Sequence, residues 1–320
     1  PVSFFSNKTP LEAAHTPNLD FLASKGVCGL MDSIDVGVRP ASDTAHLSIF
    51  GFDPKKYYFG RGVLECIGLE MNVGKGDVCF RANFGTINSK KIITDRRAGR
   101  IEDAGGLVES LNKIKLSTGI KVIVGKGIQH RAGVLFRGKG ISARVSDCDP
   151  HEENKPLLSC RPLDSSAQAK LLADSVNEFV AKANAVLAKH AFNKKRKSLK
   201  LLPANCILLR GGGSLGEIPS FKQLWGLSCA CVAGGKLYKG IAKLVGMKLI
   251  DVPTATGKTE TDFKAKVEAA VKALKSNDFV FLHFKGTDLM GEDGNAVGKK
   301  EYLERADRHF GVLHSVTKNH

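Results

Sequence analysis

No apolar run in this chain approaches the roughly 18 residues that a membrane span requires. No basic-then-apolar signal pattern occurs in the opening residues either. The reading is therefore of a chain without a membrane partner. Cysteine pairs are also lacking. The eight cysteines, at 28, 66, 79, 148, 160, 206, 229 and 231, are scattered and form no CxxC. That spacing excludes a disulfide frame or a zinc knuckle and reads as buried thiols in a reducing compartment, the cytoplasm. Aromatics make up only 7% of the residues, with a single Trp. None interleaves with the densest basic run, Lys194-Lys195-Arg196-Lys197, which argues against a stacking platform for single-stranded nucleic acid. The run itself reads as a solvated loop. Acidic residues are the scarcer charge, 32 against 48 basic, for a net charge of +16. The excess favours anionic partners, and a small phosphorylated acid needs only a few of those cations.

What is present is an ordinary globular composition, 42% hydrophobic over 320 residues, enough for one large domain or two modest ones. The stretch that organises the reading is Gly37-Val38-Arg39-Pro40-Ala41-Ser42-Asp43-Thr44-Ala45-His46-Leu47. Pro40 disfavours helix just before Ser42, and Ala45, His46, Leu47, Ile49 and Phe50 read as the helix that follows. Ser42, Asp43 or Thr44 suits an ordinary N-cap. The same free N–H groups and positive helix end suit a phosphate, so Ser42 also suits a nucleophile or a metal-holding hydroxyl.

Upstream, Thr16-Pro17 reads as a capped helix start, and residues 27–31 as a short strand. Arg61 lies in a Gly-flanked loop. From Asp77 the texture turns to short strands, beginning with the alternating residues 77–84. Residues 94–100 pack three arginines and Asp95 into a loop, either an anion cradle or a salt-bridged surface. Strands follow at 121–124 and 133–136, with Gln129-His130-Arg131 between them. Residues 146–152 form a dense polar turn whose two Asp and one His match no metal motif. The clearest helix spans residues 165–190. A strand at 205–210 then runs into Gly211-Gly212-Gly213, where backbone could approach an anion. After Gly213, strands at 229–233, 248–252 and 279–284 alternate with helices at 237–245 and 262–275. This is the pattern of a doubly wound α/β unit with a parallel sheet covered on both faces. Asp288 follows the last strand, where such sheets bind ligands. Glu292 lies one helical turn further on.

Five motifs stand in one order: Lys8-Thr9-Pro10-Leu11-Glu12-Ala13-Ala14-His15-Thr16-Pro17-Asn18-Leu19-Asp20, Arg39 to Leu47, Asp95-Arg96-Arg97-Ala98-Gly99-Arg100, Asp147-Cys148-Asp149-Pro150-His151-Glu152 and Thr287-Asp288. Together they resemble the archaeal-type 2,3-bisphosphoglycerate-independent phosphoglycerate mutases of the alkaline phosphatase superfamily. The resemblance implies an α/β, alkaline-phosphatase-like, doubly wound and mostly parallel core over residues 1–76 and 213–320. It implies an inserted α+β substrate lobe over residues 77–212. It implies the interconversion of 3- and 2-phosphoglycerate in glycolysis and gluconeogenesis, with Ser42 taking the phosphoryl group and no 2,3-bisphosphoglycerate. Two divalent ions (Mn, Mg, Zn or Co) are implied, with Ser42, Asp288 and Glu292 among their donors. The substrate would be held by Asp95, Arg96, Arg100, His130, Arg131, Asp149, His151 and Arg210. Nothing in the sequence names an oligomeric partner.

Two features depart from the family. A histidine ligand of the family is replaced by Glu292. The family's opening Asp-Gly and closing Asp-His segments fall outside Pro1 and His320, so the chain reads as part of a longer one. These departures keep open an inactive or truncated homologue, and the fold keeps open a related phosphatase or phosphomutase.

Overall fold

The computed structural model describes residues 2–316, with side chains through His314. Both proposed chain ends, Pro1 and residues 317–320, lie outside the described residues. In chain order the structure begins with α1 (Pro10–Ala13), α2 (Pro17–Lys25), α3 (Ser42–Ile49), α4 (Pro54–Tyr57) and α5 (Arg61–Gly68). Next come β1 (Val78–Ile87), β2 (Ile93–Asp95), α6 (Gly105–Leu111), β3 (Lys121–Lys126), β4 (Arg131–Arg137), α7 (Ala167–Lys189), α8 (Ala191–Ser198) and β5 (Cys206–Ser214). The remainder is α9 (Phe221–Trp225), β6 (Cys229–Val232), α10 (Lys236–Leu244), β7 (Lys248–Leu249), α11 (Phe263–Leu274), β8 (Phe279–Leu282), α12 (Gly286–Glu292) and α13 (Ala296–Asp307).

These elements form two compact units. One is the chain up to Pro54 together with everything from Ile218 on; the other is Lys55–Glu217. The junction expected at 76/77 therefore lies earlier in the structure. The reason is α5, which buries Val63, Leu64, Cys66 and Ile67 and presses on β1. A Cβ on Gly62 would stand 2.2 Å from the Cys79 carbonyl oxygen.

The Lys55–Glu217 unit is built on an antiparallel sheet in the order β2-β1-β4-β3, with β5 also paired to β1. Alternation along β1 sends Phe80, Ala82 and Phe84 to one face, where they pack with Leu172, Val176, Phe179, Ala183 and Leu187 of α7. The opposite face carries Arg81 and Asn83. Arg81 stands across from Gly133 of β4 and Arg210 of β5, and Asn83 stands across from Arg131. Directly opposed residues share a face, so Arg81, Asn83, Arg131 and Arg210 do as well. Gly212 and Gly213 serve chain packing. A Cβ on Gly213 would meet the Phe59 carbonyl oxygen at 1.7 Å, and one on Gly212 would meet the Phe80 ring at 2.7 Å.

In the other unit, β7-β6-β8 form a parallel sheet. Ala230 pairs with Lys248 and with Val280, and α10 and α11 make the connections. The α/β reading of this half holds, but β8 is only half-buried along its length, not covered on both faces. Residues 27–31 form no strand. Val27 and Leu30 are as exposed as in an extended chain, with no neighbouring strand to accept their backbone. Thr16 holds the N-cap position of α2, with Pro17 first in the helix, but its side chain makes no capping bond. The buried Asp307 does that work, accepting from the N–H groups of Asn18 (3.2 Å) and Leu19 (2.8 Å). The basic run 194–197 is helical, within α8, instead of a loop. Seven cysteines are buried and all eight are free, with Cys28 the exposed exception. Among the described residues no helix is long and apolar enough to cross a membrane.

The entry into β5, which carries Arg210, is fixed by Asn193. Its buried amide donates to the carbonyls of Leu187 and Ala204, both at 2.8 Å, and accepts from the Ala204 N–H at 2.7 Å. Asn193→Ala leaves three backbone groups unsatisfied in a dry corner and is expected to cost about 2 kcal/mol. Urea unfolding followed by circular dichroism measures this, and an unchanged midpoint contradicts it.

Candidate functional site

The organising group of the Lys55–Glu217 unit is the Asp149 carboxylate, whose side chain is fully buried. Arg96 grips it with two bonds, Nε to Oδ1 at 3.1 Å and Nη2 to Oδ2 at 2.6 Å. Arg210 adds a third, Nη1 to Oδ2 at 2.7 Å. The His151 N–H donates to Oδ1 at 2.9 Å. Burial alone would raise the Asp149 pKa. The Arg96 hydrogen bond, the His151 N–H and the charges of Arg96 and Arg210 outweigh burial and hold it below the usual carboxylate range. The polar turn at 146–152 is thus the tether of two guanidinium groups.

Neighbouring residues extend the constellation. Asp95 is structural: its Oδ1 accepts from the N–H groups of Arg97 (2.7 Å) and Gly99 (3.1 Å) and so shapes the arginine loop. Arg100 lies exposed at the end of that turn with φ +54°. Asp95, Arg96, Arg97, Arg100, His151 and Glu153 line an open cleft of about 450 Å³. His151 Nε2 lies 3.1 Å from Asp147 Oδ2, and Asp147 Oδ1 accepts from the Gly211 N–H at 2.8 Å. His130 is buried. Desolvation first, then the charges of Arg131, Arg97 and Arg81, push its pKa down to about 4, so the ring is neutral at physiological pH.

Ser42, Asp288 and Glu292 belong to the other unit. Ser42 is the first residue of α3 rather than its cap, which is Ala41. The His46 Nδ1 lies 2.6 Å from the Ser42 carbonyl oxygen. The His46 ring meets Tyr238 at 4.8 Å and His283 at 5.4 Å between centroids. These contacts set α3 beside the carboxyl end of β8. Burial leads the lowering of the His46 and His283 pKa values, the latter to about 3. Asp288 and Glu292 fall one turn apart on α12, as their spacing predicts.

Sequence reasoning passed over Arg81, Asn83, Glu65, Lys285 and His46. The alternation of β1 already placed Arg81 and Asn83 on one side of a strand, which was the available signal. Nothing in the sequence marked Glu65, whose Oε2 stands 3.7 Å from Arg81 Nε.

The family model for 2,3-bisphosphoglycerate-independent phosphoglycerate mutase matches residues 23–193. A mutase of that description from Archaeoglobus fulgidus is 46% identical over 96% of this chain and 76% of its own length. One from Sulfurisphaera tokodaii is 45% identical over 98% and 76%. The chain belongs to this family. The structure is similar to a cofactor-independent phosphoglycerate mutase from Thermoplasma acidophilum, with a TM-score of 0.71, 35% identity and coverage of 99% of this chain and 81% of that one. A Pyrococcus horikoshii protein matches with a TM-score of 0.81 at 34% identity, over 98% and 74%. These likenesses support the alkaline-phosphatase-like α/β reading.

For a mutase of this family the metal donors are a separate question. The Asp288 carboxylate is ion-paired with Lys285, and Glu292 is exposed. Among the described residues no group of three or more His, Cys, Asp or Glu side chains could share an ion. The donors described here do not by themselves make a metal centre.

Removing the Asp149 carboxylate leaves Arg96 and Arg210 largely buried and facing each other. Asp149→Ala is expected to lose about 3 kcal/mol at neutral pH. Because the folded pKa is depressed, this contribution is fully present above the unfolded carboxylate value of about 3.9. It vanishes as pH falls through the lower folded value. Urea midpoints of wild type and variant should therefore converge on acidification; a gap that stays constant with pH contradicts the assignment.

Proposed function

We propose that this chain interconverts 3-phosphoglycerate and 2-phosphoglycerate as an intramolecular phosphotransferase that needs no 2,3-bisphosphoglycerate. Ser42 accepts the phosphoryl group. Arg96, Arg100, His130, Arg131, His151 and Arg210 hold the acid, with Asp95 and Asp149 setting the arginines in place. The observation that carries this reading is the Asp149 tether. It fixes two guanidinium groups before any substrate arrives, and their N–H groups not used on Asp149 suit phosphate and carboxylate oxygens. Membership of the mutase family supports it. Such an enzyme works in glycolysis and gluconeogenesis in the cytoplasm.

Each group has a chemical task. Ser42 starts helix α3, where the helix dipole favours an incoming anion. The bond formed is Ser42 Oγ–P, and the bond broken is P–O of the substrate ester, leaving glycerate with a free hydroxyl. The second hydroxyl of the same glycerate then attacks phosphorus, the Ser42 Oγ–P bond breaks, and Ser42 Oγ takes back a proton as that hydroxyl gives one up. His46 is not arranged as the base through Nδ1, because that nitrogen faces the Ser42 carbonyl. Lys285 supplies a cation beside α12, next to Asp288. The two divalent ions expected with Ser42, Asp288 and Glu292 would activate the serine hydroxyl. They are an expectation of the family resemblance.

Ser42→Ala should abolish formation of 2-phosphoglycerate from 3-phosphoglycerate, by about 10³-fold or more, in a coupled assay with Mn²⁺ added and EDTA as control. The far-UV spectrum should be unchanged. Turnover equal to wild type overturns phosphoserine chemistry.

A further inference from the structure

Three buried side-chain atoms near the tethered arginines lack hydrogen-bond partners: Arg81 Nε, Asn83 Oδ1 and His130 Nδ1. Buried polar atoms are nearly always paired, so three unpaired atoms in one region call for an explanation. Arg81 and Asn83 share a face of β1, and Asn83 stands opposite Arg131, the residue after His130. The His130 carbonyl accepts from the Phe84 N–H at 2.7 Å. Asn83 and His130 are at least nine-tenths buried, and only 14% of the Arg81 side chain is exposed.

The chemistry of the three atoms is specific. The Asn83 Nδ2 donates to the Arg96 carbonyl at 3.2 Å. Only the NH₂ end can donate to a carbonyl, so the end left over is an acceptor. It calls for a hydroxyl donor, which neither phosphate dianion nor carboxylate offers. Arg81 Nε–H makes no hydrogen bond; Glu65 Oε2, at 3.7 Å, is an ion-pair partner beyond hydrogen-bond reach. Burial, with Arg61, Arg210 and Arg131 close by, lowers the Arg81 pKa to about 10 despite the opposing pull of Glu65. A guanidinium crowded by like charges gains most from an incoming negative group. The neutral His130 ring can offer Nδ1 as a donor.

An anion acceptor set beside a hydroxyl acceptor describes one ligand end: a carboxylate with a hydroxyl on the adjacent carbon. We propose that Arg81, Asn83 and His130 form the subsite that reads the α-hydroxy-carboxylate end of the substrate, with Arg81 and Asn83 setting its specificity. Arg81 with His130 binds the carboxylate, and Asn83 Oδ1 accepts from the hydroxyl. The assignment rests on the reading of the substrate as a phosphorylated glycerate. It adds two residues to those given to the acid above.

The test is a proton NMR line-broadening titration of the full chain with three probes: D-glycerate, 3-hydroxypropionate, which lacks the adjacent hydroxyl, and inorganic phosphate. Wild type should bind glycerate more tightly than 3-hydroxypropionate. Arg81→Lys keeps the charge but loses the planar fork. It should weaken glycerate about tenfold while moving phosphate by less than about twofold. Asn83→Ala should bring the glycerate to 3-hydroxypropionate ratio close to one. If Asn83→Ala does not fold, Arg81→Lys decides alone. Equal losses of glycerate and phosphate in Arg81→Lys, no loss of glycerate, or a wild type blind to the adjacent hydroxyl overturns the proposal. Binding of this kind without 2-phosphoglycerate formation would contradict the proposed turnover alone. Turnover untouched in Arg81→Lys would contradict this subsite alone.

Discussion

A carboxylate with no exposed surface, Asp149, decides the character of the Lys55–Glu217 unit. Burying it is tolerable because two guanidinium groups and a backbone N–H converge on its two oxygens. The same bonds hold Arg96 and Arg210 in place, although neither lies on the turn that bears Asp149. One comes from the loop after β2 and the other from the middle of β5. A pair of cations that would otherwise repel each other is thereby fixed within one receptor. Preorganisation of this kind lowers the entropy and reorganisation cost of binding an acidic substrate.

The sheet explains how the cluster is supported. The apolar face of β1, packed on α7, anchors the strand. The other face is then free to carry Arg81, Asn83, Arg131 and Arg210 in register. The tight approach of α5, possible only because Gly62 lacks a side chain, covers the rest of that face. In the other unit the parallel sheet brings the start of α3 and the turn after β8 together through His46, Tyr238 and His283. The Ser42 carbonyl lies against the His46 ring, with Lys285 as a cation near Tyr238.

Much of this was legible in the sequence, for reasons that differ from residue to residue. The strand and helix periods of 77–84, 165–190 and 262–275 reflect burial of one face, and burial is what forms those elements. Arg96, Asp149 and Arg210 were found through family motifs rather than spacing, since their meeting depends on three separate loops and strands. Arg81 and Asn83 were invisible as site residues, because alternation shows that two residues share a face but not which face binds. The strand expected at 27–31 failed because apolar composition without a hydrogen-bonding neighbour makes no strand. The basic run 194–197 was misread because the helix is set by the Asn193 clasp and its neighbours, not by the charges. Glycine at 212 and 213 is required by the close approach of Phe80 and Phe59, which the sequence does not show.

The central claim is that phosphorus passes through Ser42 while the arginines keep the acid. Peptide mass spectrometry after acid quench of the protein incubated with 3-phosphoglycerate tests it most directly. The account predicts phosphate on the peptide containing Ser42 and none on that peptide when inorganic phosphate replaces the substrate. Turnover with an unmodified Ser42 peptide, or phosphate on a different residue, would contradict it.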